Sequence, residues 1–147
     1  MRQNTISVLV VDDHPLLRHE TVAILEREPD ITVVGQADSA ASSLHRAQEL
    51  LPTVVLLDVN MPGNGLKAAR SIAHACPTSK VVMLTTANDP NTMLAAMEAG
   101  ACGYLLKGRA RNELAGAIRL VAQGDLVVVP AMAIRRLMEI EADPRSG

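Results

Sequence analysis

The chain has 147 residues, enough for one domain with an adequate hydrophobic core. Hydrophobic residues make up 48% of the chain and charged residues 20%, which is ordinary for a globular protein. The formal net charge is −2, and Tyr104 is the one aromatic side chain. A nucleic-acid-binding module usually carries a basic patch, and base stacking needs aromatic side chains. We therefore expect no direct contact between these residues and DNA.

Apolar stretches in the chain are too short to form a membrane-spanning helix. The two longest, residues 6–11 and 126–134, fall far below the roughly 18 residues that such a helix needs. The N-terminus lacks the charged, apolar and small-residue regions of a signal peptide. We expect a cytoplasmic protein without membrane contact, in which Cys76 and Cys102 are reduced packing residues.

Strand and helix signals alternate along the chain. Five short apolar runs predict β-strands at residues 7–11, 31–35, 53–57, 80–84 and 103–106. A segment with helical apolar spacing follows each run, and these segments end near Pro29, Pro52, Pro77, Gly100 and Gly124. The residues that suit an N-cap or a first helical turn are Pro15, Ser39, Asp89 and Pro90.

This order of elements predicts an α/β fold. Strands that alternate with helices form βαβ crossovers and a parallel sheet, and uniformly apolar strands indicate that helices cover both faces. We predict a doubly wound, five-stranded sheet in the order 2-1-3-4-5, which suits five strands better than a six-stranded order. The domain spans residues 1–124. Residues 125–147 form an extension or linker, with an extended segment at 127–129 and a further helix at 131–141.

Five polar side chains follow the predicted strands. In an open sheet of this order, ligands bind beyond the carboxyl ends of strands 1 and 3. Strand 1 ends in Asp12 and Asp13, and strand 3 ends in Asp58. Strands 4 and 5 bring Thr85 and Lys107 to the same rim. Each residue alone has an ordinary explanation as a helix cap, a solvated charge or a strand residue. Their joint position at four strand ends predicts a functional site.

Three carboxylates in one crevice repel one another. At about 4 Å and an effective dielectric constant of about 20, each charged pair costs about 4 kcal/mol. A cation relieves that repulsion, and oxygen ligands without His or Cys favour Mg²⁺ over zinc. Asp58 would then be the nucleophile for a phosphoryl group, whose charge the metal and Lys107 neutralise. The Thr85 hydroxyl adds a donor, and no general base is needed because a carboxylate is already nucleophilic.

The four histidines are interpreted as ordinary surface residues. His14 follows the acidic pair and could line the rim of the pocket, but a loop residue is the simpler interpretation. His19, His45 and His74 fall in predicted helices and are expected to be solvated. No glycine spacing in the chain matches a dinucleotide-binding fingerprint.

Four stretches of the sequence resemble the receiver domain of two-component response regulators. They are Val10-Val11-Asp12-Asp13-His14-Pro15, Leu56-Leu57-Asp58-Val59-Asn60-Met61-Pro62, Leu84-Thr85 and Gly103-Tyr104-Leu105-Leu106-Lys107. The resemblance covers residues 6–124, and the motifs are specific jointly, in this order and at these spacings. It implies phosphorylation of Asp58 by a sensor histidine kinase in the presence of Mg²⁺.

The resemblance also implies which residues bind the metal. Asp13, Asp58 and the backbone carbonyl of Asn60 would bind Mg²⁺ directly, and Asp12 would help through water.

The remaining matched residues imply a switch. Thr85 and Lys107 would contact the phosphoryl oxygens. Tyr104 matches the switch aromatic of the family, whose ring turns inward as the Thr85 hydroxyl moves toward the phosphoryl group. The surface formed by helix 4, strand 5 and helix 5 then changes.

The sequence from Asp12 to Arg18, together with Asn60-Met61-Pro62-Gly63 and Gly103-Tyr104-Leu105-Leu106-Lys107, is similar to that of the NarL/FixJ subgroup. Members of this subgroup usually carry a LuxR-type helix-turn-helix domain after the receiver. This chain ends at Gly147, before such a domain could fit, so it is either a receiver fragment or a single-domain protein. We expect a homodimer on phosphorylation, and contact with DNA only through a C-terminal domain beyond this chain. The loop from Asp58 to Gly65 is one residue shorter than the family pattern, which leaves the start of the third helix open.

Three functions compete with a signalling switch that catalyses only its own phosphorylation and dephosphorylation. A phosphohydrolase would normally need a second carboxylate two residues after the nucleophile, where Asn60 stands. A pseudo-receiver that acts only as an interaction module conflicts with the complete set of pocket groups. A flavin or nucleotide carrier is disfavoured because the acidic pocket would repel phosphate.

Overall fold

The computed structural model describes residues 5–61, 64–85, 90–124 and 127–128. The strands are β1 (Ile6–Val11), β2 (Ile31–Ala37), β3 (Val54–Asp58), β4 (Lys80–Thr85), β5 (Gly103–Leu106) and β6 (Val127–Val128). The helices are α1 (Pro15–Glu26), α2 (Ala40–Leu50), α3 (Gly65–Ala75), α4 (Pro90–Glu98) and α5 (Lys107–Ala122). The strands form one parallel sheet in the order β2-β1-β3-β4-β5-β6.

The predicted order 2-1-3-4-5 is confirmed, and five helices alternate with the strands as predicted. The structure adds β6 beyond β5, with position 127 beside Gly103 and position 128 beside Tyr104. The sequence predicts only an extended segment there, because two residues show no periodicity that could assign them to a sheet. The predicted helix at 131–141 and the predicted N-cap Asp89 lie outside the described residues.

Side chains of the central strands alternate between two apolar layers, which explains why these strands have no polar face. One layer lies beneath α2, α3 and α4 and includes Leu9, Val11, Val55, Leu57, Val81, Met83 and Tyr104. The other lies beneath α1 and α5 and includes Val8, Val10, Val54, Leu56, Val82, Leu84 and Leu105. Because both faces are covered, polar groups on these strands are confined to the strand ends. Among the described helices, none is long and apolar enough to span a membrane.

Side chains cap the starts of α2 and α3. Ser39 caps α2 as predicted, since its hydroxyl accepts from the Ser42 backbone N–H while the Ser42 hydroxyl accepts from the Ser39 N–H. The start of α3, left open by the short loop, is at Gly65. The side chain of Asn64 caps this helix from a backbone with φ of 73°, a conformation that asparagine tolerates better than most residues.

Ion pairs anchor the far end of α5. Arg119 Nε donates to Asp30 Oδ2 at 2.8 Å, and Arg119 Nη2 donates to Asp30 Oδ1 at 2.9 Å and also contacts Glu28. These contacts join the last turn of α5 to the loop before β2, at the amino ends of the strands. The same helix begins with Lys107 at the carboxyl ends, so its axis is held along the sheet at both ends.

Leu51 ends α2 with a backbone in the left-handed region, at φ 46° and ψ 57°, and its side chain is exposed. That conformation costs an L-residue about 1–2 kcal/mol and costs glycine almost nothing. We therefore expect Leu51→Gly to be about 1 kcal/mol more stable than Leu51→Ala in urea unfolding. Both variants lose the leucine side chain, so the difference between them reports the backbone conformation alone. Gln48, exposed within α2, supplies the control pair.

At Gln48 the usual helix order should hold, with Gln48→Gly about 1 kcal/mol less stable than Gln48→Ala. Finding the same rank order at both positions would contradict the strained cap.

Candidate functional site

The predicted site residues meet at the carboxyl ends of the central strands. Asp12 directly follows β1, Asp58 is the last residue of β3, and Thr85 is the last residue of β4. Lys107, predicted at the end of strand 5, is instead the first residue of α5. The correction leaves its position at the rim unchanged, because the helix begins directly after β5.

An acidic cluster forms at this rim from Asp12, Asp13 and Asp58. One carboxylate oxygen from each of the three residues lies within 4.8 Å of the others. Asp12 and Asp58 are buried, whereas Asp13 is exposed. The donors are all carboxylate oxygens, which suit a hard divalent cation better than a soft one. The cluster can therefore hold a metal ion, with Asp13 on the side open to solvent.

Lys107 links the two buried carboxylates of the cluster. Its Nζ lies 3.3 Å from Asp12 Oδ2 and 3.1 Å from Asp58 Oδ2. The lysine side chain is itself largely shielded from solvent. Salt screens such an interaction less than it screens a surface ion pair. Lys107 thus offsets part of the repulsion between the two aspartates and fixes the direction of one oxygen of each.

Backbone N–H groups hold the other oxygen of each buried carboxylate. His14 N–H donates to Asp12 Oδ1 at 2.9 Å, and Asn60 N–H donates to Asp58 Oδ1 at 3.1 Å. Each donor lies two residues after its aspartate, the arrangement of an Asx turn. Asp12 and Asp58 are therefore held in the same way, by the loop that follows them and by Lys107.

The loop after β1 differs in one detail from the simple interpretation of Asp12 and Asp13 as helix caps. His14 itself occupies the N-cap of α1 and makes no side-chain cap bond, so neither Asp12 nor Asp13 stands at the cap position. Its imidazole is exposed, as are His19, His45 and His74.

Gly65 lets α3 begin directly against the loop that follows Asp58. Val59 N–H donates to Leu84 O at 2.9 Å, and Gly65 N–H donates to Val59 O at 3.2 Å. A Cβ at Gly65 would lie 2.8 Å from the carbonyl carbon of Val59 and would collide with the carbonyl oxygens of Asp58 and Val59. Sequence reasoning treated this glycine only as a loop residue. A glycine in the short loop between Asp58 and the third predicted helix was the available signal for such a close approach.

Thr85 and Tyr104, the predicted switch pair, are both buried, each with 1% of its surface exposed. Thr85 pairs in the sheet with Leu106, the residue before Lys107. Tyr104 pairs with Met83 and belongs to the apolar layer beneath α3 and α4. The ring therefore lies inside the protein in this conformation.

Burial raises the pKa of the Asp58 carboxyl above its ordinary value of 3.8. The Asn60 N–H opposes this shift most, followed by the charge and hydrogen bond of Lys107. The charge of Asp12 adds to the rise. The pKa stays raised, so ionisation of Asp58 is less favourable in the folded protein than in the unfolded chain.

This shift predicts how stability depends on pH in the absence of metal. A raised folded-state pKa means that the folded protein binds more protons than the unfolded chain between the two pKa values. Stability therefore falls as pH rises through that interval. In EDTA, Asp58→Asn should raise the urea midpoint at neutral pH, and the gain should vanish below pH 3.8.

Asp38→Asn, which changes an exposed carboxylate outside the cluster, is the matched control and should give no such gain. An Asp58→Asn variant that is less stable than the parent at neutral pH would show that Lys107 outweighs the cost of burial.

Comparisons with known proteins agree with this geometry. A model of the response regulator receiver domain matches residues 8–119. Response regulator GacA of Pseudomonas protegens is 45% identical over 129 residues, which cover 87% of this chain and 61% of that protein. The nitrate/nitrite response regulator protein NarL of Escherichia coli is 34% identical over 131 residues, covering 88% of this chain and 61% of NarL. The chain thus spans about three-fifths of the length of these curated relatives.

Solved structures show the same fold. A two-component response regulator of the LuxR family from Aurantimonas superposes with a TM-score of 0.85 at 31% identity, covering 92% of this chain and 97% of that one. The signal receiver domain of the putative response regulator NarL from Mycobacterium tuberculosis gives 0.79 at 34% identity, covering 82% and 98%. The chain therefore belongs to the response regulator receiver domains of two-component systems, signalling proteins rather than conventional enzymes, and within them to the NarL/FixJ type.

Proposed function

We propose that this chain is a phosphorylation switch in which Asp58 accepts a phosphoryl group from a sensor histidine kinase in the presence of Mg²⁺. The observation that carries the proposal is that the same two kinds of contact hold the carboxylates of Asp12 and Asp58 in place. Each is buried, each accepts from the N–H two residues further on, and both contact Lys107. Asp13, within 4.8 Å of both but exposed, adds a charge on the solvent side.

The position of Asp58 in the sheet supports its role as the nucleophile. It ends β3, which lies between β1 and β4. The acidic residues Asp12 and Asp13 therefore flank it on one side and Thr85 on the other, while the Lys107 side chain reaches from the end of β5 to contact both Asp58 and Asp12. A phosphoryl group on Asp58 would meet a metal on the first side, the Thr85 hydroxyl on the second, and the Lys107 ammonium beside Asp58.

Mg²⁺ would be held by the carboxylates of Asp13 and Asp58 with the backbone carbonyl of Asn60, and by Asp12 through water. The bound ion supplies positive charge for the oxygens of the transferred group. The exposed carboxylate of Asp13 gives the ion a route from solvent. Lys107 is already placed beside Asp58 and would follow the added negative charge when the group is transferred.

The conformational change caused by phosphorylation would reach the surface of α4, β5 and α5 through Thr85 and Tyr104. A new charge at Asp58 attracts the Thr85 hydroxyl, and a shift of this residue at the end of β4 changes the space available to the ring of Tyr104 on β5.

The later steps of signalling involve parts of the protein outside this site. We propose that residues 1–124 form the receiver unit, that phosphorylation favours a homodimer, and that DNA is contacted only through a C-terminal domain beyond residue 147. The relatives NarL and GacA are described as response regulators, and LiaR of Bacillus subtilis as a transcriptional regulatory protein. A phosphohydrolase acting on outside substrates is disfavoured because Asn60 stands where an acid–base carboxylate would be needed.

Labelling with a small phosphodonor tests the phosphoacceptor. In Mg²⁺, intact-mass spectrometry should show one phosphoryl group added to the parent chain, and Asp58→Asn should lose this product because its amide is not a nucleophile. Asp38→Asn, an exposed aspartate outside the cluster, should be labelled like the parent. Labelling that persists in Asp58→Asn would overturn the assignment, and labelling that survives EDTA would overturn the role of the metal.

The single tyrosine of a chain without tryptophan makes Tyr104 a specific fluorescent reporter of the switch. The ring is inward in this structure, with 1% of the residue exposed, so phosphorylation should lower the quenching of Tyr104 by acrylamide by reducing excursions of the ring toward solvent. Thr85→Ala should still be labelled at Asp58 but should lose this response, and Thr85→Ser should retain it. An unchanged response in labelled Thr85→Ala would show that the hydroxyl does not couple the two positions.

A further inference from the structure

Arg18, on the second turn of α1, joins the acidic cluster to the edge strand β2. Its Nη1 donates to the backbone oxygen of Asp12 at 2.7 Å, and its Nε donates to the side-chain oxygen of Gln36 at 3.0 Å. The guanidinium thus bridges the loop after β1 and the last part of β2. Its planar fork can make both bonds at once, whereas a lysine ammonium reaches such a pair of acceptors less well.

The oxygen that Arg18 binds belongs to the peptide that joins Asp12 to Asp13. Because a peptide unit is planar, fixing that oxygen also fixes the N–H of Asp13 and the direction in which its Cα leaves the plane. Asp12 is held in other ways too, by Ala37 O at its N–H and by His14 and Lys107 at its carboxylate. Those contacts orient Asp12, whereas the bond from Arg18 acts on the link to Asp13.

We propose that Arg18 is a positioning residue, which holds the Asp12–Asp13 peptide so that the exposed Asp13 carboxylate faces the cluster and binds a divalent cation. This inference rests on the proposed function, since it concerns the same metal site. Asp13 is the exposed member of the cluster, so its direction depends more on the backbone than on surrounding side chains.

The sign of the effect separates positioning from simple electrostatics. A guanidinium near the cluster repels a cation, so removing its charge would strengthen Mg²⁺ binding if charge were its whole contribution. Positioning predicts the opposite, because a freed peptide lets the Asp13 carboxylate turn away from the cluster. Hydrogen-bond partners of metal ligands typically change metal affinity about 10–100-fold when they are removed.

The first test is Mg²⁺ titration of the full chain by calorimetry. Arg18→Met should raise the dissociation constant about tenfold or more. Arg18→Lys, which keeps the charge but not the fork, should fall between this variant and the parent. Arg27→Met, at the exposed C-cap of the same helix, should bind like the parent. Equal or tighter binding by Arg18→Met would overturn the inference.

A second variant guards against a folding defect. Gln36→Ala removes one partner of Arg18 at an exposed position of an edge strand and leaves the positive charge in place. Weaker Mg²⁺ binding by this variant supports positioning, because the charge near the cluster is unchanged. Urea midpoints of all the variants establish that each is folded at the titration temperature.

Amide hydrogen exchange in EDTA gives a readout that needs no metal. Exchange of the His14 N–H, which is bonded to Asp12 Oδ1, should quicken in Arg18→Met. The Asn60 N–H makes the same kind of bond to Asp58 and should exchange as in the parent, which makes it an internal control. Unchanged exchange at His14 counts against the inference.

The outcomes separate the inference from the function on which it rests. A parent chain that does not bind Mg²⁺ overturns both the metal site and the role of Arg18. If the parent chain binds Mg²⁺ and Arg18→Met binds it equally tightly or more tightly, only the role of Arg18 is overturned and the proposed switch stands.

Discussion

One ammonium group lies between two buried carboxylates at the centre of the site, with Lys107 Nζ 3.3 Å from Asp12 Oδ2 and 3.1 Å from Asp58 Oδ2. Two aspartates this close and this deeply buried would otherwise repel each other strongly. The contact also explains the topology of the site. Asp12, Asp58 and Lys107 are far apart in the sequence, and the parallel sheet brings them together by ending β1, β3 and β5 at one rim.

The lysine leaves the charge of the site unbalanced. Three carboxylates at −1 each and one ammonium at +1 sum to −2 when all four groups are ionised. A divalent cation balances that sum. Phosphorylation replaces the −1 charge of the Asp58 carboxylate with the charge of an acyl phosphate, about −2, so the site gains about one further negative charge. The site therefore takes up an anion readily only after a cation is present. Burial raises the pKa of Asp58, and the charge of Asp12 adds to the rise, so its ionised form is disfavoured in the absence of metal.

The fold and most of the site could be predicted from the sequence. Apolar strands that alternate with helices determine a parallel sheet, and residues that follow those strands must share its carboxyl edge. That reasoning correctly brought Asp12, Asp58 and Lys107 together. It did not require knowledge of any side-chain conformation, because burial of both sheet faces leaves polar groups little room except at the strand ends.

The details that sequence reasoning missed depend on contacts that leave no periodic trace. Arg18 reaches the backbone oxygen of Asp12, six positions earlier, and no hydrophobic pattern predicts such a bond. The N–H groups of His14 and Asn60 act through backbone atoms, which every residue other than proline has. The pairing of β6 with β5 rests on two residues, too few for a pattern.

Thermal unfolding in MgCl₂ and in NaCl of equal ionic strength tests most directly whether this cluster is a cation site. Binding to the folded state alone raises the midpoint with increasing ligand, whereas general screening acts equally in both salts. We predict that millimolar MgCl₂ raises the midpoint of the parent chain above that in matched NaCl, and that Asp13→Asn loses most of this difference. Identical midpoints of the parent chain in the two salts would contradict the account.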